Sequence, residues 1–353
     1  MEKLFSEFNI KNVKMKNRIC IPPMVVGFSH EGYVAPENLE RYKELAKGGA
    51  GLIIQEATCI NIDGRLSEKQ LGIWNDDQIE GLKSIVDVVH EENCAIFVQI
   101  HHAGVTGISE NPLCPSAYEY KNPTRTVVGH EMTTEDIKSI QNDFIEAARR
   151  AYEAGYDGIE LHGCHGYLIS QFLNKRVNKR TDEYGNTPEK FVIEILDGIK
   201  KVTPKEFVVG IRLGGFEPTL EDGLHYAKVL EKNGVDFLDV SYGFFNEQEM
   251  HVAEGYKFSN AVYAAEKIKE EVSIPVFAVN GIYSAETAES ILDETNIDLV
   301  DIGKGALINP NWANDAKEGK DTGKCLSCAK CMWFGQSKVC AGKVIFDKNN
   351  NQQ

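Results

Sequence analysis

Positive charge is scarce in this sequence: 38 lysines and arginines face 53 aspartates and glutamates, a formal net charge of −15. Such a surface repels polyanions, so neither nucleic acid nor an anionic membrane is expected as a partner. Long apolar runs are missing as well, and none approaches the roughly 18 residues that a spanning helix needs. The opening segment MEKLFSEFNIKNVKMKNR is charged throughout and holds no apolar core, so it does not read as a secretory signal. These absences point to a cytoplasmic location. There is no internal repeat, and no G-x-G-x-x-G follows a strand, which argues against an appended dinucleotide-binding domain.

What is present alternates. Short β-branched runs near 18–22, 51–57, 95–100, 158–162, 207–213, 237–240, 276–279 and 299–302 are almost continuously apolar, as parallel strands covered on both faces should be. Helical patterns lie between them. The clearest places Ile137, Ile140, Phe144, Ala148 and Ala151 on one face, opens at a Thr133–Asp136 capping box and stops at Gly155. Eight alternations predict an α/β fold, a closed (β/α)8 TIM barrel over residues 1–320, with a short cysteine-rich C-terminal extension over 321–353. One excursion, 103–132, is too long for a plain connection and reads as a lid or wall.

The nine cysteines fall into two groups. Cys20, Cys59, Cys94, Cys114 and Cys164 are scattered singly and read mostly as small buried hydrophobes in a reducing compartment. Cys325, Cys328, Cys331 and Cys340 crowd into sixteen residues, a density that suggests a metal or cluster site. Four thiolates there suit either an iron–sulfur cluster, the favoured reading, or zinc, and free thiols are the bland alternative.

In TIM barrels chemistry gathers at the C-terminal ends of strands. The fourth strand ends with His162, His165 and Tyr167. Two histidines can give two hydrogen bonds to one carbonyl oxygen, and a tyrosine beside them can deliver a proton. A metal-binding pair or satisfied structural histidines fit an isolated H-x-x-H as well. After the seventh and eighth strands, Asn280-Gly281 and Gly303-Lys304-Gly305 sit where many such barrels hold phosphate.

The stretch from Gly155 through His162-Gly-Cys-His165-Gly-Tyr167 to Asn186 closely resembles the signature of the Old Yellow Enzyme family, which includes ene reductases and the barrel of 2,4-dienoyl-CoA reductase. Lys16–Met24, Gly49–Ala57, Val98–Gly104, Val209–Leu213 and Ile302–Gly305 match further family strands in order. The resemblance implies FMN as cofactor, NAD(P)H as co-substrate and a small enone or enoate as substrate. It implies flavin contacts at Pro23, Met24, Ala57, Gln99 and Arg212, and phosphate contacts at Asn280, Gly281, Gly303 and Lys304. His162 and His165 become the carbonyl clamp and Tyr167 the proton donor. The cysteine motif resembles a [4Fe–4S] site of one branch, with altered spacing. His102 is expected to be structural, and His251 an exposed loop histidine.

Departures accompany the match. Val25 stands where relatives often place Cys or Thr, Val105 where an arginine is common, and Lys304 where arginine would offer a bidentate fork. The expected activity is hydride transfer from NAD(P)H through FMN to an activated C=C bond. An amine dehydrogenase or demethylase, an electron-transfer subunit served by a separate reductase, and a phosphate-binding isomerase remain alternatives. An electron-donor protein and a homo-oligomer are open as partners.

Overall fold

In the computed structural model, residues 1–122, 125–244, 247–333 and 339–350 are described. Eight parallel strands close a barrel in chain order: β1 (Ile19–Ile21), β2 (Leu52–Cys59), β3 (Ala95–His101), β4 (Gly158–Gly163), β5 (Val208–Gly214), β6 (Leu238–Ser241), β7 (Val276–Ala278) and β8 (Leu299–Asp301). Val300 beside Ile19 completes the ring. The predicted strands and the barrel are therefore found, with ends shifted by a residue or two.

Every residue of these strands is buried, because helices cover the outside while side chains fill the inside. The main covering helices are α1 (Pro36–Lys47), α2 (Ile79–His90), α3 (Thr134–Glu153), α4 (Lys190–Val202), α5 (Leu220–Lys232), α6 (Asn260–Lys269) and α7 (Ala285–Glu294). α3 begins as the sequence predicts: Thr133 Oγ1 accepts from the Asp136 N–H at 3.1 Å, and Asp136 Oδ2 accepts from the Thr133 N–H at 2.8 Å. It ends at Gly155, whose φ of +92° places it in the left-handed region that glycine tolerates.

Inside the barrel, alternation sets three levels. On β3, Phe97, Gln99 and His101 climb one face; on β4, Gly158, Glu160 and His162 do the same. The floor is apolar, with Phe97, Phe237 and Phe277 stacked at 5.4 and 4.7 Å between centroids. An antiparallel hairpin, Phe8–Ile10 with Val13–Met15, sends Ile10, Val13 and Met15 into this floor. Burying each such ring or aliphatic chain contributes about 2 kcal/mol. The N-terminal end of the barrel is thus plugged.

The 103–132 excursion is a small sheet, not an irregular loop: Leu113–Cys114, Tyr118–Asn122 and Arg125–Glu131 pair around a core of Val105, Cys114, Val177 and Phe244. Val105 is fully buried in that core. Among the described residues no helix is long and apolar enough to cross a membrane.

Candidate functional site

The polar middle level sits directly above the aromatic floor. Arg212 Nη1 lies 3.2 Å from Asp239 Oδ2, while Gln99 donates to Glu160 Oε1 at 2.7 Å. Asp301 joins them, so three carboxyl groups share one guanidinium. Burial pushes Glu160 and Asp301 well up and raises Asp239 too, so protons shared among them keep this buried layer from carrying its full negative charge. Arg212 Nε has no hydrogen-bond partner although it is buried. A donor left over in this way suits an incoming polar ligand.

Arg212 opens onto a cavity of about 560 Å³ that also holds Pro23, Met24, Asn280, Gly281, Gly303 and Lys304. Seven of the nine residues expected to contact the cofactor therefore line one space. Gln99 and Ala57 do not line it; both are buried beneath, Ala57 with its carbonyl accepting from Gln70 Nε2 at 2.8 Å. Asn280 and Gly281 both have φ +75°, in the left-handed region. A Cβ on Gly303 would come within 3.3 Å of Pro22 Cγ. Glycine there keeps the backbone close to the β1 segment.

The far wall of the same cavity is the extension. Cys325, Cys328, Cys331 and Cys340 all line it, and all are free thiols. Trp333 ties this segment to the barrel: its Nε1–H donates to the Leu307 carbonyl at 2.9 Å, and the Arg41 guanidinium stands 5.1 Å over its ring. In number and kind the four thiols fit a four-thiolate centre. Their sulfurs are not drawn together: among the described residues, only His162, Cys164 and His165 bring three metal-ligand atoms within 4.8 Å of one another.

Those three residues stand at the rim of β4. His162 Nε2 and His165 Nδ1 are 3.1 Å apart, and the Tyr167 ring meets His162 edge-on at 4.6 Å. His165 has φ +63°, uncommon for a residue with a Cβ and of order 1 kcal/mol in strain. Glu217 holds it there: Oε1 accepts from the His165 N–H at 2.8 Å and from the Gly243 N–H at 2.9 Å. The Ser170 hydroxyl donates to the other carboxylate oxygen.

Burial drives the His162 imidazole well below its ordinary pKa and His165 to about 3, so both are neutral. Burial pushes the Tyr167 hydroxyl up, so it keeps its proton. Two neutral imidazoles and a protonated phenol can hold and protonate a polar substrate without adding net charge. Cys164 is different: burial and the Glu217 carboxylate push its thiol well up, and a thiol is a poorer metal ligand than a thiolate.

His102 is structural as expected, accepting from the Gly104 N–H at 3.0 Å, and His251 is exposed. Sequence reasoning passed over His101, Glu217, Ser241 and Glu56. His101 was findable, since alternation from Gln99 turns it inward.

Comparison with known proteins identifies the family and the fold. The sequence model of the NADH:flavin oxidoreductase / NADH oxidase family matches residues 3–322. An NADPH dehydrogenase of Bacillus velezensis is 37% identical over 329 residues, covering 91% of this chain and 96% of its own. An NADH oxidase of Thermoanaerobacter brockii is 38% identical over 348 residues, but that overlap is 92% of this chain and only 52% of the larger protein. Among solved structures, an Old Yellow Enzyme homologue from Zymomonas mobilis superposes with a TM-score of 0.79 at 26% identity, covering 92% and 95% of the two chains.

Proposed function

The chain belongs to the NADH:flavin oxidoreductase / NADH oxidase family, the family of Old Yellow Enzyme, and on that premise we propose that it reduces the activated C=C bond of α,β-unsaturated carbonyl compounds. The observation that carries this is the pair of facing neutral imidazoles, His162 and His165, with Tyr167 packed against them. Bound FMN would supply the redox chemistry, accepting hydride from NAD(P)H and releasing it to the substrate's β-carbon. The residues present fit that cofactor: Arg212 offers an unpaired buried N–H and a cation, and Asn280, Gly281, Gly303 and Lys304 supply a phosphate cradle. Pro23 and Met24 would complete its walls, whereas Ala57 and Gln99 lie outside the cavity lining.

His162 and His165 hold the carbonyl oxygen through N–H groups and so stabilise the negative charge it gains as hydride arrives. Tyr167 holds a proton on Oη for the α-carbon, and solvent restores that proton afterwards. The rim adjoins the cofactor space through Ser241, which lines the cavity and bonds His165 Nε2 at 2.9 Å, while His162, His165 and Tyr167 themselves do not line it; on this reading NAD(P)H and substrate take turns there.

Residues 1–320 form the catalytic barrel and 321–353 an extension to it. The four cysteines of that extension would hold a metal centre, an iron–sulfur cluster before zinc, and no step of the cycle runs through them. An electron-donor protein is not required. The test is a His162→Ala/His165→Ala variant assayed with cyclohexenone. Retained flavin with at least about a hundredfold loss of turnover is expected; full turnover by a flavin-loaded variant would overturn the proposal.

A further inference from the structure

Three histidines and a serine form one line across the rim. His101 Nδ1 is 3.1 Å from His162 Nδ1, His162 Nε2 is 3.1 Å from His165 Nδ1, and His165 Nε2 is 2.9 Å from Ser241 Oγ. Each neutral imidazole owns a single N–H, so the line can run in one of two senses. If it runs from Ser241 toward His101, His101 carries its proton on Nε2. That atom is buried and has no partner, so a donor would be stranded. If it runs from His101 outward, the Nδ1–H of His101 is used, and Nε2 keeps only a lone pair.

We infer that His101 is a positioning residue that locks the tautomer of His162. By donating from Nδ1 to His162 Nδ1, it fixes the His162 proton on Nε2, the nitrogen that faces His165 and the space where a carbonyl oxygen would lie. This rests on the clamp reading above and adds to it a cause. In the opposite tautomer His162 would present a lone pair to the substrate oxygen and repel it. His101 is fully buried, and its ring is held edge-on to Tyr167 at 4.5 Å, so it has no freedom to offer a different atom. Ser241 plays the matching part at the other end. A hydroxyl can donate or accept, so it tolerates His165 with the proton on either nitrogen and lets Nδ1–H turn to the substrate. One arm of the clamp is thus fixed and the other adaptable.

The test uses flavin-loaded protein labelled with 15N-histidine, read by NMR for the tautomer of His162 without substrate, alongside enone kinetics. Wild type should show His162 as the Nε2–H tautomer. His101→Phe keeps a ring but has no donor; it should lose the single tautomer and drop kcat/KM about tenfold or more. His101→Asn places an amide N–H close to the former Nδ1 and should restore both. A wild-type His162 protonated on Nδ1 would overturn the inference. So would a His101→Phe variant that keeps the Nε2–H tautomer. The clamp reading fails separately: if His162→Ala/His165→Ala keeps its turnover while the tautomer depends on His101, the lock stands and the clamp does not.

Discussion

Replacing Glu56 by glutamine should remove a loss of stability that the wild type suffers as pH rises. Glu56 is fully enclosed at the C-terminal part of β2, where Oε2 accepts from the Val26 N–H at 3.0 Å and Oε1 lies 3.4 Å from the Tyr42 hydroxyl. Burial is the dominant influence and lifts its carboxyl from the ordinary 4.5 to about 7, with Val26, Arg41 and Tyr42 offsetting part of it. An unfolded chain releases this proton near the ordinary value, whereas the folded one keeps it until about 7. Between those values the folded state binds the extra proton, so the unfolding free energy falls as pH rises and is lowest above the folded pKa. The interval from 4.5 to about 7, at about 1.36 kcal/mol per pH unit, is about 3 kcal/mol. Glutamine keeps an oxygen for Val26 and cannot titrate. Urea unfolding of the flavin-loaded protein at pH 5 and pH 8 gives the comparison, because every other titrating group is common to both proteins. Because pH 5 already lies inside that interval, the wild type should lose about 2.5 kcal/mol more than Glu56→Gln between pH 5 and pH 8. Equal losses would refute the assignment of a neutral, buried Glu56.

Two further expectations concern the extension and the strand interior. Anaerobically purified protein should contain iron and acid-labile sulfide in equal amounts, and Cys325→Ser/Cys328→Ser should contain neither; absence of both iron and zinc from the wild type would remove the metal reading. Gly210→Ala would place a Cβ 2.1 Å from Phe237 Cε1, inside the stacked floor, and should cost about 1–3 kcal/mol and several degrees of Tm without touching the rim residues. An unchanged Tm would mean that the floor is not tightly packed.

The barrel was legible because its strands are buried on both sides and so read as unbroken apolar runs, and because α3 carries its start and stop signals in the chain. His162, His165 and Tyr167 were legible because they crowd within six residues of a strand end. Other parts were hidden by distance. Glu217 meets His165 across 52 positions, and Glu56 meets Val26 across 30, so no local pattern couples them. His101 stood in a His-His doublet beside His102, and only the inward-outward alternation of β3 separates a rim residue from one that caps a turn. The excursion's strands escaped notice because Tyr118–Asn122 and Arg125–Glu131 are half exposed and lack a continuous apolar run. For the cysteines the spacing was plain, but where each sulfur points depends on tail backbone that carries no periodic signal.

A cavity with one wall from the barrel and one from the tail couples two equilibria. Lys304 and Cys325 border the same volume of about 560 Å³. If a phosphate at the barrel wall changes the readiness of the tail thiols to bind or oxidise, the thiols change its affinity in turn. The reverse change has the same magnitude, because coupling free energies are reciprocal. Flavin affinity measured with the thiols blocked and free would therefore report that coupling from either direction, even if no electron ever crosses the gap.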